Sequence, residues 1–196
     1  MSTSTRTLLF RVLPLVALGL LLGLFYIGLD RDPRNLPSTL IDVPLPDFAL
    51  EPIPDRGNAL TRDALLGEVS LLNVFGSWCV SCRAEHEELV RLRSEEGIAI
   101  HGVDWNEKDP RDGADWLRRN GDPYVLAGQD PDSRLAIDLG VTGAPETYLI
   151  DPCGVVRYKH SGPLTKEVWD DILAPAVKTL KDAPCTARVP AQEDVP

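Results

Sequence analysis

Cys79 and Cys82 stand two residues apart in "LLNVFGSWCVSCRAEH", Leu71 to His86. Cysteines at this spacing serve thiol–disulfide exchange, half of a zinc site, covalent haem attachment or a purely structural disulfide. Haem attachment requires a His directly after the second Cys, and residue 83 is Arg. A zinc site requires a second ligand pair, whereas the other two cysteines, Cys153 and Cys185, lie far apart in the chain. His86 follows Cys82 by four residues and shares its helical face, so Cys79, Cys82 and His86 form a set suited to a soft ion such as Cu(I). The sole Met is Met1, so no thioether joins that set, and a lone helical His is otherwise a solvated surface residue.

Exchange chemistry makes the most of what surrounds the pair. The apolar run "EVSLLNVFG" has the continuous character of a buried strand, breaks at Gly76 and Ser77, and is followed by a helix from Cys79 to about Ser94. Leu89 and Leu92 share one side of that helix, which stops near Gly97. Residues three apart in a first helical turn share a face, close enough for a disulfide. The first sulfur looks at unpaired backbone N–H groups and the positive end of the helix dipole, which favours its thiolate. Cys79 is therefore the expected nucleophile. Cys82, one turn deeper, is the expected resolving thiol, displacing whatever disulfide partner Cys79 captures. Val80 and Ser81 bring no charge between them.

Around this junction the periodicity alternates. "IAIHGVDW" reads as a strand, "DPRDGADWLRRNG" as a helix ended by Asn120-Gly121, "YVLAG" as a short strand and "DPDSRLAIDLG" as a helix. "PETYLID" and "VVRYKHSG" form a hairpin about "PCG", a last helix starts near Thr165, and Thr61 caps a short helix before Gly67. Strand-helix alternation closed by a hairpin implies an α/β fold with a mixed central sheet flanked by helices.

Before this domain lies an uncharged stretch, residues 12–29, whose 18 residues reach about 27 Å as a helix, nearly the thickness of a bilayer core. It is longer than the apolar core of a signal peptide, and no small-x-small cleavage site precedes Asp30, so an uncleaved transmembrane anchor is expected. Arg6 and Arg11 precede it without an acid, while the charges just after it cancel, which places residues 1–11 in the cytoplasm. Residues 30–45 are a Pro-rich linker, 46–181 the folded domain and 182–196 a flexible tail. The net charge is −10 and the first 36 residues carry four basic against two acidic side chains, so the excess acid belongs to the domain. Such a domain lacks the basic face that nucleic acid requires.

"NVFGSWCVSCRAEH", "GVTGAPETYLID" and "GVVRYKHSG" resemble the thioredoxin-like CcmG/DsbE family of cytochrome c biogenesis proteins over residues 46–180, with "GVDWNEKDPRDGADWLRRNGDPY" similar to that family's central insertion. The resemblance implies a thioredoxin-like fold with a central insertion, no cofactor beyond a redox-active Cys79–Cys82 disulfide, and no metal. It also implies a cis bond before Pro145, whose loop lies against the cysteines so that Ala144 offers backbone groups to an extended partner peptide. Trp78, Ala144, Pro145, Glu146 and Thr147 are the expected lining of that groove. Where thioredoxin itself buries an Asp behind the cysteines, this chain has Asn73. Glu85, three residues after Cys82, is then the candidate to exchange a proton with Cys82, its pKa raised toward neutrality by partial burial.

The implied activity is protein-disulfide reduction at a periplasmic domain on the bacterial inner membrane. Its partners would be the CxxCH of apocytochrome c or a partner thiol protein, and a membrane electron donor of the DsbD/CcdA type. A general extracytoplasmic thiol reductase of the TlpA/ResA type and the copper-binding set are the alternatives. Cys153 and Cys185 depart from the family's pattern; in an oxidising space they bond and tie the tail to the domain, or stay as two free thiols.

Overall fold

The computed structural model describes residues 3–29, 40–182 and 185, with side chains of the first stretch described from 12 to 26. It divides into two units, Met1–Leu36 and Pro37–Pro196. The first is one helix, α1 (Thr3–Leu29), with Pro14 inside it and with exposed apolar side chains such as Leu20, Leu24 and Tyr26. Among the described residues no helix is long and apolar enough to cross a membrane. Residues 30–39 of the expected linker, and all of the tail after Asp182 except Cys185, lie outside the described residues.

The second unit is built on a five-stranded sheet. In chain order the strands are β1 (Ala49–Leu50), β2 (Leu60–Thr61), β3 (Ser70–Phe75), β4 (Ala99–Trp105), β5 (Leu126–Asp130), β6 (Glu146–Ile150) and β7 (Val156–Ser161). The short β1 and β2 pair with each other, and the main sheet runs β5-β4-β3-β6-β7. β3, β4 and β5 are parallel, while β6 runs antiparallel to both β3 and β7. Two parallel pairings, β3 with β4 and β4 with β5, require helical crossovers, and α2 (Val80–Arg91) and α3 (Asp112–Asn120) supply them. Further along come α4 (Arg134–Asp138), α5 (Lys166–Val168) and α6 (Ala174–Asp182).

All six residues of β3 are buried, as the unbroken apolar run implies for a strand covered on both faces. Alternation sends Leu71, Asn73 and Phe75 to one face and Leu72 and Val74 to the other. Leu71 and Phe75 join a core with Leu89, Leu92, Trp116, Tyr124, Trp169 and Leu180. On the other face, Leu72 and Val74 pack with Leu60, Leu65, Leu135, Tyr148 and Val156. Thr61 caps a single 3₁₀ turn, Arg62–Leu65, by accepting from the Ala64 N–H. Beyond α2 the chain makes one wide π turn, Leu92–Glu96, and Gly97 ends it at φ 65, a conformation glycine adopts without steric cost. A second π turn, Trp169–Leu173, interrupts the last helix just before Pro175, which has no N–H to continue the regular ladder.

The folded unit begins before residue 46. Leu40 and Ile41 pack on the second core, and Leu45, 3% exposed, donates its N–H to Gly154 O. Cys153 and Cys185 are bonded to each other. Beside that bond, the Arg157 guanidinium meets Asp151 at 2.8 Å and Asp42 at 2.6 Å and also donates to the Cys185 carbonyl. One buried cation thus gathers the start of the unit, the β6–β7 turn and the tail.

Candidate active site

Cys79 is the N-cap of α2: its φ and ψ are extended, and its sulfur accepts the Cys82 N–H at 3.0 Å. A sulfur in that position satisfies an orphan backbone donor and sits at the positive pole of the helix, both of which favour the thiolate when the pair is reduced. Cys79 and Cys82 form a disulfide with Cα atoms 5.3 Å apart. The expected contrast between an open and a shielded sulfur is small here, with Cys79 4% and Cys82 2% exposed. The reason is the loop before β6, which lies on the pair: the Ala144–Pro145 bond is cis, and Cys79 Sγ lies 3.4 Å from Ala144 O.

The turn bearing the cysteines is fixed from several sides. Trp78 is 45% exposed and donates its indole N–H to Trp105 O at 3.1 Å, the two rings meeting edge to face with centroids 5.7 Å apart. A Cβ at Gly76 would come within 2.8 Å of Cε2 in the Trp78 ring, so only glycine lets the indole lie over this strand end. Val80, 75% exposed, extends the apolar rim beside Cys79. Ser77 gives both its N–H and its hydroxyl to Glu107, and its carbonyl accepts from Arg83.

Behind the disulfide, Asn73 is the hub of a polar network inside the core. Its amide donates to Glu85 Oε1 at 2.9 Å and to Thr147 Oγ1 at 3.0 Å, and its carbonyl accepts the Tyr124 hydroxyl at 2.7 Å. Glu85 Oε2 takes the Leu164 N–H at 2.7 Å. Glu85 is fully buried, and burial pushes its carboxyl up to about 7 against the opposing pull of the Leu164 and Asn73 donors. The presence of Asn rather than an acid in the strand now has a physical account. A carboxylate at 73 would face Glu85 in a dry site, where two like charges cannot both persist, whereas an amide donates to it. The acid has moved from strand to helix, one turn below Cys82, with a pKa suited to proton exchange near neutrality.

Two expected groove residues turn inward. Glu146 and Thr147 are each 1% exposed. Glu146 accepts from the Thr142 N–H and hydroxyl with one oxygen, and from the Tyr148 hydroxyl and Lys159 ammonium, at 2.8 and 3.0 Å, with the other. It braces the loop that ends in Pro145 and leaves the groove to backbone and Trp78. Thr147 faces Asn73, because antiparallel register sets the two opposite each other. His86 also departs from the solvated position expected of it. It is 5% exposed, bonded through Nε2 to the carbonyls of Asn120 and Gly121, and stacked edge-on to Trp116 at 4.4 Å. His86 thus ties α2 to the end of α3, and among the described residues no cluster of three His, Cys, Asp or Glu could hold a metal. Tyr124, Leu164, Trp105 and Glu107 carry no local signal of their site roles; only "GVDWNEKDP", as part of the insertion, marked the region of two of them.

A helix-capping dithiol under a cis-Pro loop, on a mixed sheet of this order, defines a thioredoxin-fold thiol:disulfide oxidoreductase. The Redoxin family model matches residues 41–174. The thiol:disulfide interchange protein DsbE of Allochromatium vinosum is 44% identical over 177 residues, covering 90% of this chain and 96% of that protein. DsbE of Escherichia coli K12 is 47% identical over 146 residues, 74% of this chain and 77% of that one. A secreted thiol-disulfide isomerase of Corynebacterium glutamicum has the same fold, with a TM-score of 0.62 at 22% identity over 76% of this chain and 96% of its own. The chain belongs to the Redoxin family and, within it, to the DsbE (CcmG) thiol:disulfide interchange proteins.

Glu85→Gln is expected to reduce the loss of stability as pH rises. The folded pKa of Glu85 lies above its ordinary value, so its stabilising effect is complete below about 4.5 and lost as pH rises through about 7. Over that window the native protein should lose up to about 3 kcal/mol from this group, and the Gln variant none. His101, which burial pushes down to about 4, contributes the opposite slope and Asp104, pushed up to about 8, a slope of the same sign; both are common to the two proteins and cancel in the comparison. Urea unfolding at pH 4.5, 6 and 8 measures the difference. In the reduced protein the same variant should remove the Glu85 step from the Cys79 and Cys82 titration; an unaltered titration excludes Glu85 from the mechanism.

Proposed function

We propose that this protein is a membrane-anchored reductase of cytochrome c maturation, with α1 holding the dithiol domain on the periplasmic side of a bacterial inner membrane. Supporting the anchor are the uncharged stretch of residues 12–29 and the arginines before it. The reduced Cys79 thiolate attacks a partner disulfide, either the oxidised CxxCH of apocytochrome c or that of a partner thiol protein. Cys82 then displaces the product, and the Cys79–Cys82 disulfide is re-reduced by a membrane electron donor of the DsbD/CcdA type. Glu85 takes up or returns the Cys82 proton. Most of the weight rests on one observation, the Cys79 sulfur capping α2 against the Cys82 N–H beside Ala144 O.

The direction of electron flow follows from the potential. A value near about −270 mV marks a reductant and one near about −120 mV an oxidant. Fast reduction of an oxidised CxxCH peptide with weak reduction of insulin supports the maturation role, whereas equal rates on both make the protein a general extracytoplasmic reductase of the TlpA/ResA type. In the copper alternative the third ligand would have to be His86 Nδ1, since Nε2 is held by the carbonyls of Asn120 and Gly121.

A further inference from the structure

Behind the turn that carries Trp78 and Cys79 lies a second buried acid, unused by the exchange chemistry. Asp104, near the end of β4 and opposite Phe75, is 1% exposed, and no N–H or hydroxyl donates to its carboxyl oxygens, whose one hydrogen-bonding neighbour is the Glu107 carboxyl. α3 sits directly against it, so that a Cβ at Gly113 would run into the carboxyl. Glu107 faces it from the following loop, Asp112 from the start of α3 and Tyr124 from the segment before β5. Arg56, the cation that acts on Tyr124, is bound to Asp122 and to the Tyr124 and Val125 carbonyls. Burial, reinforced by the charge of Glu107, by a hydrogen bond with its carboxyl and by the charge of Asp112, pushes Asp104 up to about 8.

Glu107 is in the opposite situation. Both its oxygens accept from Ser77, one from the N–H and one from the hydroxyl at 2.9 Å, which ties Glu107 to the turn before Trp78. Asp104 is the buried member of this carboxyl pair, and a proton on it both removes a like charge beside Glu107 and makes the hydrogen bond between the two carboxyls. We propose that Asp104 is a positioning residue for the dithiol: kept neutral, it lets Glu107 hold the Ser77 turn, and its ionisation drives Glu107 off Ser77 and loosens Trp78 and Cys79. The inserted segment after β4 thereby becomes a pH-sensitive brace on the nucleophile. This rests on the exchange reading only for its consequence in rate; the structural transition requires no substrate.

The Trp78 indole N–H, bonded to Trp105 O, reports on the turn in the oxidised protein, where no thiol titrates. Its ¹⁵N-correlated resonance, assigned with Trp78→Phe, is followed from pH 6 to 10. In the native protein it should shift with a midpoint near 8, in Asp104→Asn it should not shift, and in Glu107→Gln, which leaves no carboxylate for Asp104 to repel, the shift should likewise be lost. No transition in the native protein, or the same transition in Asp104→Asn, overturns the proposal. If Asp104→Asn does not fold, a transition retained at full size in Glu107→Gln overturns it equally. Inactivity toward a CxxCH peptide would count against the proposed function and leave this titration unchanged.

Discussion

Cys82→Ser is expected to convert the protein from a turnover catalyst into a trap. Cys79 still caps α2 and still accepts the backbone N–H of position 82, which the substitution leaves in place, so attack on a partner disulfide proceeds and a mixed disulfide forms. Its resolution normally comes from a thiol held in the same helical turn, and an intramolecular reaction of that kind works at effective concentrations up to about 10⁵ M. A free thiol at millimolar concentration is a poor substitute, so turnover should fall at least about a hundredfold. Non-reducing gels should show a covalent adduct with an oxidised CxxCH peptide or with the physiological partner, released by dithiothreitol and absent from Cys79→Ser. An adduct formed equally well by Cys79→Ser would place the nucleophile elsewhere; no adduct with any cytochrome precursor or thiol partner would end the proposed role.

The second large effect concerns the far end of the sheet. Cys153 and Cys185 are 32 residues apart, and the loop they close contains β7, α5 and α6. Closing a loop of that length removes chain entropy from the unfolded state worth about 4 kcal/mol. Replacing both cysteines by Ser should lower unfolding stability by about that amount, read by guanidinium denaturation with the Cys79–Cys82 pair kept oxidised. Loss should be felt first at the Arg157 cluster. With the tail free, Arg157 keeps Asp151 and Asp42 but gives up the Cys185 carbonyl, and α6 loses its tether beyond Asp182. The dithiol lies near the opposite end of β6 from Cys153, so the potential of Cys79 and Cys82 should be the same in the variant. A changed potential would mean that the two disulfides are coupled through the sheet.

Glu85 and Asp104 are a pair of buried acids with different consequences. Glu85 has donors from Asn73 and Leu164 that moderate its pKa and leave it able to pass a proton near neutrality. Asp104 has no such donors and meets only the Glu107 carboxyl, so the role proposed for its proton is structural. On the roles proposed for them, one buried carboxyl exchanges a proton and the other positions the turn, according to which donors the neighbouring elements bring.

Much of the reaction centre could be read from local pattern. The strand before Gly76, the turn, and the helix begun by Cys79 follow from apolar continuity, a break and the i, i+3 spacing, all contained within about 20 residues. The caps at Thr61 and Thr165, and the burial of Leu89 and Leu92 on one helix face, are likewise local. What lay beyond reach is the set of contacts whose partners are remote in the chain. Asn73 meets Tyr124 across 51 positions and Thr147 across 74, and Glu85 meets the Leu164 N–H across 79. A polar side chain in a sequence carries no mark of whether another element will cover it. Glu146, Thr147 and His86 each had an exposed reading open to them, and each was enclosed by elements that arrive from elsewhere. Cys153 and Cys185 were open between bonded and free for the same reason, since only the return of α6 brings the tail to the β6–β7 turn. Chain chemistry alone thus determined that two thiols would share a helix tip, because spacing and propensity act over a few residues. Packing decided which acids keep their protons and which surface meets the partner, because burial and donor supply belong to the assembled sheet and helices.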